Sequence, residues 1–215
     1  ARNGSAVTPV DINKAERKSY ITVEQPLAEI ADSRRIEIIQ RANDAAMSYN
    51  PLIKMASVDY YDEIRSRVIA NSEGIYLQDE NPLMFFIVQT MSDNGKARHM
   101  SRERLSKHSG FEMFDKFSPE EVAEKAAREA VAMLDAEAAP AGIMDVVMMN
   151  GWGGVLVHEA VGHPLEADNI SKGIGAFTGK LGQKVASDVF TMVDDGTIPK
   201  DNPFINTKNM LPEIW

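Results

Sequence analysis

The 215 residues contain no cysteine and only two tryptophans, and positive charge is in deficit, with 23 Lys and Arg against 32 Asp and Glu. Without cysteine the chain supplies no disulfide and no thiolate metal ligand, and this fits a reducing compartment, so a cytoplasmic location is expected. The net charge of −9 and pI near 5.0 exclude the concentrated positive surface that binding to a nucleic-acid backbone needs, so no nucleic-acid partner is expected. No apolar run approaches the roughly 20 residues of a membrane span. No positively charged start followed by an apolar block marks a signal peptide, so no membrane partner is expected either. The sequence starts at Ala1, not at Met, and an upstream segment is expected.

What is present suits a globular α+β protein, with 44% hydrophobic residues. Residues 1–24 are polar and turn-rich and read as a mobile connector. From 26 to 49, Leu27, Ile30, Ala31, Ile38, Ala42, Ala45 and Ala46 recur at helical spacing between charges, predicting an amphipathic helix ended by Asn50 and Pro51. Residues 54–61, 63–70, 74–78 and 83–91 are short runs rich in Ile, Val, Tyr and Phe, separated by Asn71-Ser-Glu-Gly74 and Asn81-Pro82, and predict antiparallel strands. Phe85 and Phe86 are expected in a core or interface, and Asp93-Asn94-Gly95 is a hairpin turn. The stretch 96–107 is locally basic and reads as a solvated strand or, alternatively, a surface for an acidic peptide, with His99 and His108 as solvated histidines. Ser118-Pro119-Glu120-Glu121 opens a second helix with an N-cap, Pro at its first position and acids in its first turn.

Ala138-Ala-Pro-Ala-Gly142 is the best domain boundary. It divides an N-terminal domain over 1–137, an antiparallel sheet with flanking helices, from the beginning of a second domain over 138–215. In that second part, 143–149 reads as a buried strand. Residues 171–182 read as a flexible loop, with glycines at 173, 175, 179 and 182, that borders a substrate cleft. Residues 185–193 read as a further strand turned by Asp194-Asp195-Gly196.

Between the strand and the loop lies the segment 151–166, in which two imidazoles and an acid fall within six residues. Neutral imidazole ligates zinc, and a Glu beside the first ligand can take a proton from water without itself binding metal. His158 and His163 are therefore candidate metal ligands and Glu159 a candidate base. The spacing exceeds the common His-Glu-x-x-His by one residue, and on a regular α-helix positions i and i+5 lie about 140° apart. Convergence therefore needs a π-bulge, or an early helix end at Gly162, with Pro164 weakening α geometry at His163. The alternative is two unrelated histidines, one buried and one at a helix end.

His-Glu-Ala-Val-Gly-His at 158–163, preceded by Gly-Trp-Gly-Gly at 151–154 and followed by Leu165, Glu166 and Asp168, resembles the zinc metalloprotease half of the TldD/PmbA family, also called modulators of DNA gyrase. Val185-Ala-Ser-Asp188, Val193-Asp-Asp-Gly-Thr197 and Asn71-Ser-Glu-Gly74 resemble further family segments, so the likeness spans most of 60–198. It implies zinc on His158 and His163, Glu159 as catalytic glutamate, short or unfolded peptides as substrate, and a buried site reached through a homodimer or a heterodimer with a family partner. Pro164 and Ala167 stand where the family pattern has glycines, and the family's third ligand, a downstream Cys, is absent. Glu166 and Asp168 are candidates to orient a ligating histidine, and either is a formal candidate to complete a His₂-carboxylate site. The expected reaction is zinc-dependent peptide hydrolysis. The other functions open to the sequence are a catalytically silent partner subunit and a zinc hydrolase of non-peptide amides. The 215 residues alone are expected to hold zinc weakly and to show little peptidase activity.

Overall fold

A computed structural model describes residues 13–14, 21–148 and 153–193. Two compact units divide the chain, one running to Ala138 and the other beginning at Ala139. The chain is α+β.

The first unit is a sheet covered by two helices. Strands β1 (Asn13–Lys14), β2 (Ile53–Ala70), β3 (Ile75–Asp93) and β4 (Arg98–Lys107) make the sheet, and α1 (Asp32–Tyr49) and α3 (Pro119–Ala132) make the helical layer, with a short α2 (Met113–Lys116) between β4 and α3. Strand β3 is central. It pairs antiparallel with β2 from Ile53↔Ser92 to Ala70↔Tyr76, and on its other side with β4 from Met84↔Lys107 to Asp93↔Arg98. The turn between β2 and β3 is closed by Asn71, whose Oδ1 accepts from the N–H groups of Glu73 and Ile75 at 3.1 Å. The Asp93-Asn94-Gly95 turn forms as the sequence indicates, with Gly95 at φ 83° and Asn94 Oδ1 accepting from Lys96 and Ala97.

Several sequence expectations need revision here. The four short runs are two long strands, because β2 is continuous through Asp62 and Asn81-Pro82 does not interrupt β3. In a strand the N–H and C=O of one residue point to the same side. The Pro82 carbonyl accepts from His108 Nδ1–H at 2.9 Å, and His108 lies just past the end of β4, so the missing Pro82 N–H falls where that ladder has already ended. His108 is accordingly half-buried and bonded, not solvated, and His99 is half-buried too. The first helix starts at Asp32, not near 26, because Ile30 is extended and Leu27–Glu29 form a separate 3-10 turn. Arg35 holds that break, its guanidinium donating to Ile30 O at 2.5 Å and to Leu27 O at 2.7 Å while its Nε reaches Asp62 at 3.2 Å. Asn13 and Lys14, placed in the connector, form β1 and pair parallel with Ile75 and Tyr76; the rest of 1–20 lies outside the described residues.

The core lies between sheet and helices. Met84, Phe86, Val88 and Leu105 supply the sheet side, and Ile38, Ala42, Ala46, Ala123 and Ala126 the helix side, with Phe111 and Met113 at one end. The alanines are fully buried, and their small size lets α1 and α3 lie close to each other and to the strands. Phe85, with the opposite strand parity to Phe86, faces the other side, against Tyr61 and beneath the Arg104 guanidinium at 4.6 Å. Arg98 is likewise engaged, with Asp93 at 2.8 Å, and Lys107 lies over the Phe117 ring at 4.4 Å, so three cations of the basic stretch have intramolecular partners. Helix α3 begins as its sequence dictates, with Ser118 Oγ accepting from the Glu121 N–H at 3.1 Å and Pro119 in the first turn.

The second unit consists of short helical pieces, α4 (Gly153–Val157), a π-turn (His158–Gly162), α5 (His163–Leu165) and α6 (Ala167–Ser171), followed by a glycine-containing loop. The strands expected at 143–149 and 185–193 do not form over the described residues, and Ile143, Val147 and Val189 are almost fully exposed. Apolar periodicity states a preference for strand, but a strand exists only where another edge takes its N–H and C=O groups, and none does among the described residues. Asn150, Gly151, Trp152 and the turn at 194–196 lie outside those residues.

Candidate metal centre

The six-residue motif adopts the first of the two devices its spacing allows. The His163 N–H donates to the His158 carbonyl, five residues back, closing a π-turn at the point where an α-helix would close to residue 159. Gly162 stays helical, with φ −59° and ψ −62°, and its role is spatial: a Cβ there would stand 3.3 Å from His158 Nδ1, closer than side chains normally approach. The glycine thus makes room for the imidazole one turn earlier. Pro164 follows without ending the helix, because it occupies the first turn of α5, where its missing N–H costs nothing.

The turn brings the three predicted residues together. The rings of His158 and His163 lie 4.3 Å apart, centroid to centroid, in an edge-on arrangement. One ligand atom from each of His158, Glu159 and His163 falls within 4.8 Å of the others. His163 Nε2 is 3.6 Å from Glu159 Oε2. Tetrahedral zinc with 2.0–2.1 Å bonds to nitrogen sets its ligands about 3.4 Å apart, close to the 3.6 Å between His163 Nε2 and Glu159 Oε2. Two imidazoles and a carboxylate are also donors of the right chemistry, so the residues fit a divalent metal. Glu159 and His163 keep 59% and 47% of their side-chain surface exposed in the single chain, leaving water access to both.

The two neighbouring acids separate clearly. Glu166 Oε1 lies 2.5 Å from His163 Nδ1, and its other oxygen accepts from Asn169 Nδ2 at 3.3 Å. Asp168 instead pairs with Lys172 at 3.0 Å, and that hydrogen bond holds its carboxyl below the usual range. Neither acid belongs to the cluster of three. Sequence reasoning missed Asn169, which also donates to the His163 carbonyl at 3.0 Å; its only signal was a position three residues after Glu166. It also gave Gly175 no role at the motif, and a Cβ on Gly175 would lie 2.8 Å from the Pro164 carbonyl, so the glycine loop folds against the residue next to His163.

Residues 25–134, over half of the chain, match the PmbA/TldA metallopeptidase central domain, and residues 141–205 match the C-terminal domain of the same family. The chain belongs to the PmbA/TldA metallopeptidase family. A metalloprotease TldD homolog of Haemophilus influenzae is 33% identical over 207 residues, covering 92% of this chain and 42% of that protein. A metalloprotease of Methanothermobacter thermautotrophicus is 29% identical over 195 residues, covering 91% and 41%. A crystal structure from Thermotoga maritima, titled as a candidate modulator of a DNA gyrase, superposes with a TM-score of 0.67 at 18% identity, over 84% of this chain and 41% of that one, and shares the fold. The chain thus spans about 42% of the length of the PmbA/TldA relatives it matches. Membership gives the motif a metal ion as its family-level context. No helix among the described residues is long and apolar enough to cross a membrane.

Proposed function

We propose that this chain is the metal-motif part of a zinc-dependent peptidase that hydrolyses peptide bonds in short or unfolded peptides, working in the cytoplasm as a homodimer or with a family partner. The observation that carries the reading is the convergence of His158, Glu159 and His163 on one π-turn. His158 and His163 would hold the metal. When bound, zinc supplies Lewis-acid polarisation of the scissile carbonyl and makes water more acidic. The Glu159 carboxylate accepts the proton from the attacking water and passes it to the nitrogen of the leaving amine, which departs neutral as the C–N bond breaks. Glu159 follows His158 directly, keeps 59% of its side chain exposed and stands 3.6 Å from His163 Nε2, within reach of water beside the imidazoles.

A zinc site takes at least three protein ligands. With Glu159 as base, the described cluster offers two; Glu166 is committed to His163 Nδ1 and Asp168 to Lys172. On this reading the third ligand is a cysteine, of which the 215 residues have none, so by themselves they hold zinc weakly.

The test is metal analysis of the full-length protein, paired with hydrolysis assays on unstructured peptides, folded proteins and small amides. Zinc at one per chain and a loss of roughly 10²- to 10⁴-fold in Glu159→Gln are expected. Metal-free full-length protein, or undiminished turnover in Glu159→Gln, overturns the reading; preference for small amides over peptides overturns the substrate class. Strong zinc retention by the 215 residues through His158, His163 and a carboxylate overturns the placing of the third ligand.

A further inference from the structure

Glu166 occupies the N-cap position of α6, where a carboxylate ordinarily accepts from a backbone N–H of the first turn, yet it makes no such bond. Its side chain is turned back to His163 Nδ1 at 2.5 Å. The Asn169 amide, one turn into the same helix, donates both to Glu166 Oε2 at 3.3 Å and to the His163 carbonyl at 3.0 Å. One side chain therefore ties together the backbone of the histidine and the carboxylate that grips its ring. Glu166 has only 26% of its side chain exposed, against 62% for Asp168, which is taken up by Lys172.

We propose that Glu166 and Asn169 form a positioning pair that fixes His163 as the Nδ1–H tautomer, so that Nε2 is the nitrogen offered to the metal. The ring nitrogen that carries the proton is decided by the bond its partner nitrogen makes, and an ionised carboxylate only accepts. With Nδ1–H donating to Glu166, the Nε2 lone pair faces the side on which Glu159 Oε2 lies at 3.6 Å. Asn169 keeps the carboxylate from swinging to the vacant cap position of α6, because both of its acceptors are fixed to the turn at His163. His163 is then orientated before any metal arrives, which lowers the ordering cost of binding. The inference rests on His163 being a metal ligand, but the tautomer is a property of the metal-free chain.

The experiment records side-chain ¹⁵N shifts of His163 in the metal-free 215-residue chain at alkaline pH, together with zinc affinity of the full-length protein by chelator competition. Native His163 should be chiefly Nδ1–H. Glu166→Ala should shift the ring towards Nε2–H and weaken zinc by roughly 10- to 100-fold. Glu166→Gln, which keeps an acceptor oxygen, should restore part of both, and Asn169→Ala should fall between native and Glu166→Ala. Asp168→Asn should leave both unchanged. An Nε2–H ring in the native chain, no change of tautomer in Glu166→Ala and Glu166→Gln, or an equal change in Asp168→Asn overturns the pair. Should the tautomer respond as stated while the native protein binds no zinc, the pair stands and the metal reading falls; zinc bound with an unresponsive tautomer has the opposite meaning.

Discussion

The two units differ in what gives them shape. Every fully buried apolar residue among those described lies between Leu27 and Ala130, in the first unit, whereas Ile143, Val147, Leu181 and Val189 of the second are almost bare. The first unit is held by long-range packing of strands and helices. The second, over its described residues, is held by contacts that are close in sequence: His163 N–H on the His158 carbonyl, Glu166 N–H on the His163 carbonyl, and Asn169 on both Glu166 and His163. The lesson is that the metal turn is specified by its own few residues. A turn encoded in this way brings His158, Glu159 and His163 together through contacts that are short in sequence.

The sharpest way to break this comparison is Phe86→Ala. Phe86 is fully buried, in edge contact with Phe114 at 5.2 Å, and its truncation should cost about 3–5 kcal/mol in urea denaturation followed by circular dichroism. The ¹⁵N signals of His158 and His163 should not move while the protein stays folded. A cost below about 1 kcal/mol, or altered imidazole signals, would show that the contrast between the units is drawn wrongly.

Glu112 sharpens the same contrast through pH. Burial alone would raise its pKa, but backbone N–H groups of Gln25 at 3.0 Å and Gly110 at 2.8 Å donate to the carboxylate, and the net position is lowered. A carboxylate with a lowered folded-state pKa stabilises above its unfolded value, about 4.3, and that stabilisation disappears as pH falls through the folded value. Glu112→Gln should therefore cost about 1.5–3 kcal/mol at neutral pH, and the gap from native should close as the solution is acidified below about 4. A gap that stays constant from pH 7 to strongly acid solution would contradict the assignment.

The smallest effect is expected at Gly162. Alanine is the better helix former by about 1 kcal/mol, so thermal stability should not fall. Its Cβ would nonetheless stand 3.3 Å from His158 Nδ1, and displacing that ring should lower zinc affinity by about fivefold, or roughly 1 kcal/mol. Equal affinity in Gly162→Ala would remove the spatial role given to the glycine.

Much of the fold was legible because its signals are short. Ser118-Pro119 marked a helix start, Asp93-Asn94-Gly95 a hairpin, and runs rich in Ile, Val, Tyr and Phe along 54–91 a set of strands, all signals carried by neighbours within a few residues. Misreadings arose where a distant partner decides. Pro82 looked like a strand break because the sequence cannot show that β4 stops beside it, and 143–149 looked like a strand because apolar residues do not reveal whether an edge awaits them. At the motif, residue types and spacing pointed to His158, Glu159 and His163 and required a departure from α geometry. The choice of Glu166 over Asp168 was not legible, since both acids follow His163 closely and only the three-dimensional reach of Lys172 and Asn169 separates them.

The π-turn also makes motif length and helix type interchangeable variables. Its bond from residue 163 to residue 158 absorbs one surplus residue within a single turn. Excising Ala160 would leave His-Glu-Val-Gly-His, whose two imidazoles share a face of an ordinary α-helix without any bulge. A five-residue and a four-residue interval between histidines are thus two spellings of one arrangement, and a search that reads only the letters will treat them as unrelated words.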